Sequence, residues 1–310
     1  MRNIKIVGYG GYLPDNIVTF NGETRYWCKN GETQLDMAEN ACVNALENAN
    51  LNIKDIDCIV STSAVGVQPI PCTASLIHER IAKGTDIPAL DINSTCTSFV
   101  TALDTMSYLI EAGRYNRVLL VASELASRGL NKNQKESYEL FSDGACAFII
   151  EKSENKNQGV IAGMQKTWSE GVHSTEIRGG LTGLNATYYS EKNKDDYFFD
   201  MKGMEVISIC ARKLPKMFAE FKEKYGIDIK NVDLVIPHQA SRALPLIMKR
   251  LGLKDGQYVN LVKEYGNQVS VSIPYMLYLA LKDGRLKEND RVLLCGTAAG
   301  LTANILLLQI

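Results

Sequence analysis

Histidine and tryptophan are scarce in this chain, with three and two copies in 310 residues, so any chemistry that needs an imidazole has few candidates. The eight cysteines form no Cys-x-x-Cys pair and no zinc-like Cys/His spacing, which argues against a zinc knuckle or a dithiol redox motif. No apolar run reaches the roughly 18 residues of a membrane-spanning helix, and none is expected. Charge of one sign is not in excess: 34 Lys plus Arg face 35 Asp plus Glu, leaving no broad field for nucleic acid or an anionic membrane. The opening Met1–Val7 runs straight into an apolar strand pattern, without the charged and apolar regions of a secretion signal. With scattered cysteines, that predicts reduced thiols and a cytoplasmic location. Gly8-Tyr9-Gly10-Gly11 has Leu13 where a dinucleotide loop needs its third glycine, so a turn is expected there.

What is present is a repeat. Ile53–Val60 is echoed by Ile229–Ile236 at an offset of 176, and Arg117–Val121 by Arg291–Cys295 at an offset of 174. Two similar segments in the same order imply a duplicated α/β unit, with halves of about 1–155 and 156–310. In the first half, Thr33 and Asp36 predict a capped helix whose stripe is Ala38, Ala41, Cys42, Ala45 and Ala49. Its counterpart spans about Met204–Tyr225, with Pro215 as an expected kink. Cys58–Val60, Val118–Val121, Leu234–Ile236 and Val292–Leu294 are apolar without alternation, which suits strands covered on both faces. Two such sheets sharing helices predict a five-layer α/β sandwich, with the polar stretch 165–197 as a surface excursion.

One cysteine stands apart from the rest. Asp91–Phe99 ends a strand and opens a helix, placing Cys96 where unpaired N–H groups and the helix dipole favour a thiolate. The other seven cysteines are expected to be small packing residues. Counting back from Gly113 and Gly284 gives two segments of equal length that begin at Cys96 and Asn267, so these two are expected at equivalent helix starts. His238, in Pro237-His238-Gln239-Ala240, follows a buried strand, whereas His78 and His173 lack such company and are expected to be structural. A nucleophile, a histidine and an asparagine at the ends of buried elements define a candidate active site.

This constellation resembles the beta-ketoacyl-acyl-carrier-protein synthase III family of thiolase-fold condensing enzymes. The resemblance rests on Gly8–Pro14, the Cys96 segment, Phe141-Ser142-Asp143-Gly144-Ala145, Pro237–Ala240, Tyr265-Gly266-Asn267 and Gly300-Leu301-Thr302, in that order over nearly the whole chain. It implies a thiolase-like αβαβα sandwich, a Cys96–His238–Asn267 triad, and an oxyanion hole from the backbone N–H groups of Cys96 and Ala299. It implies decarboxylative condensation of a Cys96-bound acyl group with a malonyl thioester, giving a beta-ketoacyl thioester with no metal or redox cofactor. Coenzyme A or acyl carrier protein thioesters would be the substrates. A homodimer is implied too, with Ile70-Pro71 of one subunit closing the partner's acyl pocket, and Phe141, Met204 and Ser241 falling along the substrate path.

Departures from the family concern the donor. A segment whose Trp and Arg clamp the coenzyme A adenine is shortened here, leaving Arg25-Tyr26-Trp27 as the remnant; His-Gln-Ala-Asn ends in Ser241, a Gly-Asn pair is Gly203-Met204, and a glycine-rich turn is Thr297-Ala298-Ala299. The expectation is a specialised condensing enzyme rather than the initiator of fatty-acid synthesis. Its rivals are a same-fold acyltransferase acting on a hydroxyl or amine without decarboxylation, and a non-catalytic dimer partner. A thiolase would carry Gly-His-Pro near Asn267, and a hydroxymethylglutaryl-coenzyme A synthase would carry a glutamate within Ser61–Ala64. Neither feature is there.

Overall fold

Strands without alternation become strands with two buried faces. In Arg117–Glu124, Val118, Leu120 and Ala122 enter one core while Leu119 and Val121 enter another. The same division recurs in Arg291–Ala298, where Val292 and Leu294 face the first of these cores and Leu293 and Cys295 face a third. The computed structural model describes residues 1–310, and in it these strands belong to two separate sheets.

The first sheet has five strands in the order Ile4–Tyr12, Gly144–Lys152, Arg117–Glu124, Cys58–Ser61, Ala89–Asp91. The second has four, in the order Leu234–Pro237, Arg291–Ala298, Thr302–Gln309, Gly159–Thr167. Read from Cys58–Ser61 inward, the first sheet repeats the order of the second, and an isolated parallel bridge between Val235 and Tyr258 stands where the second sheet's fifth strand would lie. Between the sheets run helices Ser98–Glu111 and Ser272–Lys282, which contribute Phe99, Leu103, Met106, Ile273, Met276 and Leu277 to the central core. Helices Gln34–Ala49 and Thr73–Ile81 cover the outside of the first sheet, and Gly203–Tyr225 and Leu244–Arg250 the outside of the second. Three cores between five layers make the expected αβαβα sandwich. Each fully buried Leu, Ile or Phe in them contributes roughly 1.5–3 kcal/mol relative to exposure.

The capped helix forms as its sequence dictates. Thr33 accepts from the Asp36 N–H at 3.1 Å while the Asp36 carboxylate accepts from the Thr33 N–H at 2.9 Å. The glycines of Gly8–Gly11, however, make no turn; they lie inside strand Ile4–Tyr12. A Cβ on Gly10 would sit 2.4 Å from Ala45 N and 2.5 Å from Ala41 O, and one on Gly8 would sit 2.5 Å from Ala45 O. The alanine stripe and the glycines together let helix and strand backbones touch.

Residues 165–167 of the expected excursion complete strand Gly159–Thr167; the rest holds three short 3-10 turns and the strand Thr175–Glu176, which pairs with Asp200–Met201 just beyond it. Arg178 gathers Glu176, Asp196 and Asp200 at 3.0, 2.7 and 2.9 Å there. Helix Gly203–Tyr225 continues through Pro215. No helix is long and apolar enough to cross a membrane.

Candidate active site

Cys96 lies in a single 3-10 turn, Thr95–Thr97, that feeds helix Ser98–Glu111. Asn267 lies just before the matching turn, Val269–Val271, that feeds helix Ser272–Lys282. The local hydrogen bonds fix which residues correspond. Asn93 Oδ1 accepts from Thr95 N at 2.7 Å, as Asn267 Oδ1 accepts from Val269 N at 2.8 Å. Ser98 Oγ accepts from Ser94 N at 2.9 Å, as Ser272 Oγ accepts from Gln268 N at 3.0 Å. Thr95 and Val269 share a left-handed φ, 51° and 53°. Asn267 is therefore the equivalent of Asn93, and Cys96 of Ser270, which corrects the pairing of Cys96 with Asn267. Counting from the helix ends misleads because the first helix has 14 residues and the second 11.

The same symmetry places His238 opposite Thr62. Both follow a buried strand, and their N–H groups bond to Cys295 O and Val121 O at 2.8 and 2.7 Å. His238 is 4% exposed, and its Nδ1 has no hydrogen-bond partner. Burial pushes its pKa down to about 4, so the ring is neutral. The two halves meet at Gly296, where an added Cβ would lie 2.8 Å from His238 Cβ and 3.3 Å from Thr97 Cγ2. Only a glycine lets the His238 loop and the Cys96 turn approach the same strand. Asn267 is held from both sides: its N–H donates to Leu140 O at 2.9 Å, its carbonyl accepts from Ser142 N at 2.9 Å, and Nδ2 makes a long contact of 3.4 Å with Ala240 O.

Around the sulfur, two effects compete. Although Cys96 keeps some exposure, the surrounding protein desolvates the thiol and, with the nearby Glu124 charge, pushes it up to about 12. The backbone N–H groups of Ala299 and of Cys96 itself reach the sulfur and pull the other way, without reversing the outcome. The resting group is a thiol, so the helix start does not by itself make the thiolate the sequence suggests.

Glu124 was not foreseen. It ends strand Arg117–Glu124, is 1% exposed, and accepts from the Ser270 hydroxyl and the Ala64 N–H. Desolvation raises it to about 7 in spite of those donors. Its signal lay in the repeat: Ser270, the equivalent of the nucleophile candidate, needs a buried partner.

The substrate-path residues divide. Ile70 is 84% exposed and Met204 81%. Ser241 is half-buried, its hydroxyl accepting from Ala243 N at 3.2 Å. Phe141 belongs to the core at 3%, its ring 4.8 Å from that of Phe199. Arg25 is fully buried with its donors spent on protein oxygens, and it cannot clamp an adenine. Trp27 donates to Phe141 O at 2.9 Å and packs between Phe20 and Tyr138. Both adjoin the shortened segment in sequence, and packing draws both inward. Of the other cysteines, Cys42, Cys58, Cys146, Cys210 and Cys295 are buried and Cys28 and Cys72 half-buried; all are free thiols. His78 bonds Thr85 Oγ1 at 3.2 Å, and exposed His173 meets Glu176 at 2.8 Å.

Two sheets, a shared helix pair and a cysteine at the pseudo-symmetry axis define a thiolase-like protein. Family models described as 3-oxoacyl-[acyl-carrier-protein (ACP)] synthase III and its C-terminal part match residues 90–167 and 223–310. The beta-ketoacyl-[acyl-carrier-protein] synthase III of Vesicomyosocius okutanii is 30% identical over 98% of both chains, and that of Oceanobacillus iheyensis 31% over 97% of this chain and 96% of its own. The crystal structure of the 3-oxoacyl-[acyl-carrier-protein] synthase III from Aquifex aeolicus VF5 superposes with a TM-score of 0.87 at 28% identity, covering 99% of this chain and 100% of its own. The chain belongs to the beta-ketoacyl-acyl-carrier-protein synthase III family.

Proposed function

We propose that this protein is an acyltransferase that condenses a Cys96-bound acyl group with a malonyl thioester. The observation that carries it is the approach of the Cys96 turn, a neutral buried histidine and an asparagine to one another about Gly296. In the first stage Cys96 attacks an acyl thioester, its proton passing to the departing thiolate. The N–H groups of Cys96 and Ala299 hold the tetrahedral oxyanion. In the second stage carbon dioxide leaves the malonyl thioester and the electron pair moves onto its thioester oxygen. A neutral imidazole with Nδ1 unpartnered bears its proton on Nε2 at least cost, because a bare lone pair is cheaper to bury than a bare N–H. His238 Nε2 and the free hydrogen of Asn267 Nδ2 would then donate to the enolate oxygen. The enolate carbon attacks acyl-Cys96, and the thiolate that leaves is reprotonated.

His238→Ala and Asn267→Ala should still load acyl groups, yet each should lose release of labelled carbon dioxide from malonyl thioester by roughly 10²–10³-fold. Product formation by the wild type without any carbon dioxide would assign it instead to transfer onto a hydroxyl or amine.

Two finer readings follow. With Arg25 and Trp27 both engaged inside the protein, the nucleotide end of coenzyme A loses an adenine clamp, which supports a specialised enzyme fed by an acyl carrier protein. The kcat/KM for Cys96 acylation should be higher with carrier-bound than with coenzyme A-bound acyl groups of matched length, and equal values would remove this reading. The exposure of Ile70, with Val65 and Val67 also exposed, supports a homodimer in which that segment covers the partner's pocket.

A further inference from the structure

The small hairpin of strands Ile17–Phe20 and Glu23–Tyr26 lies outside both main sheets, yet it carries one of the largest fully buried side chains in the protein. Arg25 Nε donates to Glu139 O at 2.8 Å. Nη1 reaches Thr24 O at 2.6 Å and, at 3.2 Å each, the carbonyls of Val262 and Lys263. Nη2 donates to the Glu23 carboxylate at 2.6 Å. Burial lowers the pKa of this guanidinium, so placing it here is costly and the gain must lie in what it joins.

What it joins is the turn before Asn267 and the neighbouring segment to which Asn267 is bonded. Val262–Tyr265 is a single helical turn; Arg25 reaches its Lys263 carbonyl, and it shares the Val262 carbonyl with the Gly266 N–H that closes the turn at 2.9 Å. Gly266 follows at φ 67°, and a Cβ on it would fall 2.6 Å from Arg25 Cδ and 2.5 Å from Leu140 O. The guanidinium stem thus lies flat against the residue before Asn267, while Glu139, its other anchor, adjoins the Leu140 carbonyl that holds the Asn267 N–H. Glu23 extends the link, because its carboxylate also accepts from Arg242 Nε at 2.9 Å, and Arg242 stands four residues after His238.

We propose that the hairpin is a brace for the second half-reaction, with Arg25 a positioning residue that sets Asn267 and, through Glu23 and Arg242, the loop that follows His238. Only a planar fork with five donors can hold carbonyls from separate segments at once, so lysine is not an equivalent. The assignment rests on the role given above to Asn267, and it concerns decarboxylation alone. The Cys96 turn is set by other contacts, from Thr95 N to Asn93 Oδ1 and from Ser94 N to Ser98 Oγ.

The test separates the half-reactions in Arg25→Lys and, as a gentler break that keeps the side-chain shape, Glu23→Gln. Acyl loading of Cys96 should stay within about threefold of wild type, while carbon dioxide release from malonyl thioester falls by roughly 10–100-fold for Arg25→Lys and less for Glu23→Gln. In an Asn267→Ala background the Arg25→Lys change should cost little more, since residues acting as one unit are not additive. Proportional loss of both half-reactions, or full multiplicative loss in the double variant, would make Arg25 a general support of the fold and overturn the proposal. Retained decarboxylation in both brace variants, with Asn267→Ala impaired, would also overturn it. Full decarboxylation by Asn267→Ala alone would instead strike the underlying reading of the site.

Discussion

At the scale of single residues, the site is a set of buried groups kept uncharged. Cys96 is pushed up to about 12 and His238 down to about 4, so at neutral pH both are neutral and the pair is not a preformed thiolate–imidazolium. Alkylation of Cys96 by a small electrophile should therefore accelerate about tenfold per pH unit from 7 through 9 without levelling. A plateau near pH 7 would show a thiolate already present. Glu124 gives a second pH signature. Its folded pKa of about 7 exceeds the ordinary carboxylate value of 4.5, so the folded state holds a proton that the unfolded state has released. Stability is full below pH ~4.5 and declines as pH rises toward 7, by about 3 kcal/mol at 1.36 kcal/mol per unit of separation. Denaturant titrations at pH 5 and pH 8 should show Glu124→Gln gaining on the wild type as pH rises, and a constant difference would refute the assignment. His238 was legible because it follows the buried run Leu234–Ile236, and Cys96 because it precedes a helix among small polar neighbours; Asn267 was reached through a helix count that the turn hydrogen bonds do not support. Arg25 could not, because the carbonyls it holds beyond its own hairpin lie 114 to 238 positions away and leave no local pattern.

At the scale of elements, helix starts and strand ends place the chemistry, and glycines set the distances. The capped helix and all four buried runs were legible because capping and burial are local properties. The exact partnering of the two central helices was not, since the second is three residues shorter and the equivalence is recorded only in hydrogen bonds of the preceding turns. Gly8 and Gly10 were misassigned to a turn for a related reason: a glycine needed for close approach looks the same in sequence as one needed for a bend. Gly10→Ala tests the difference. Its Cβ would meet helix backbone within 2.5 Å, which nothing can relieve without separating Gln34–Ala49 from the sheet. A loss of 1–3 kcal/mol or more, of the order of overpacking, should appear as a lower thermal midpoint. A neutral or stabilising effect would restore the turn reading.

Across the whole molecule, duplication explains why one site exists rather than two. Each half brings a strand end, an asparagine and a helix-start turn to the axis, but only one side has Cys96 in the turn and only the other has His238 after the strand. The mates, Ser270 and Thr62, bond inward to Glu124 and to Val121 O. The measurement that most directly tests the central claim is intact-protein mass spectrometry after exposure to an acyl thioester, followed by malonyl thioester. One acyl mass per chain should appear, map to the peptide bearing Cys96, and discharge as beta-ketoacyl product when malonyl thioester is added. An acyl group on Cys72 or Cys295, or one on Cys96 that malonyl thioester does not discharge, would contradict the account.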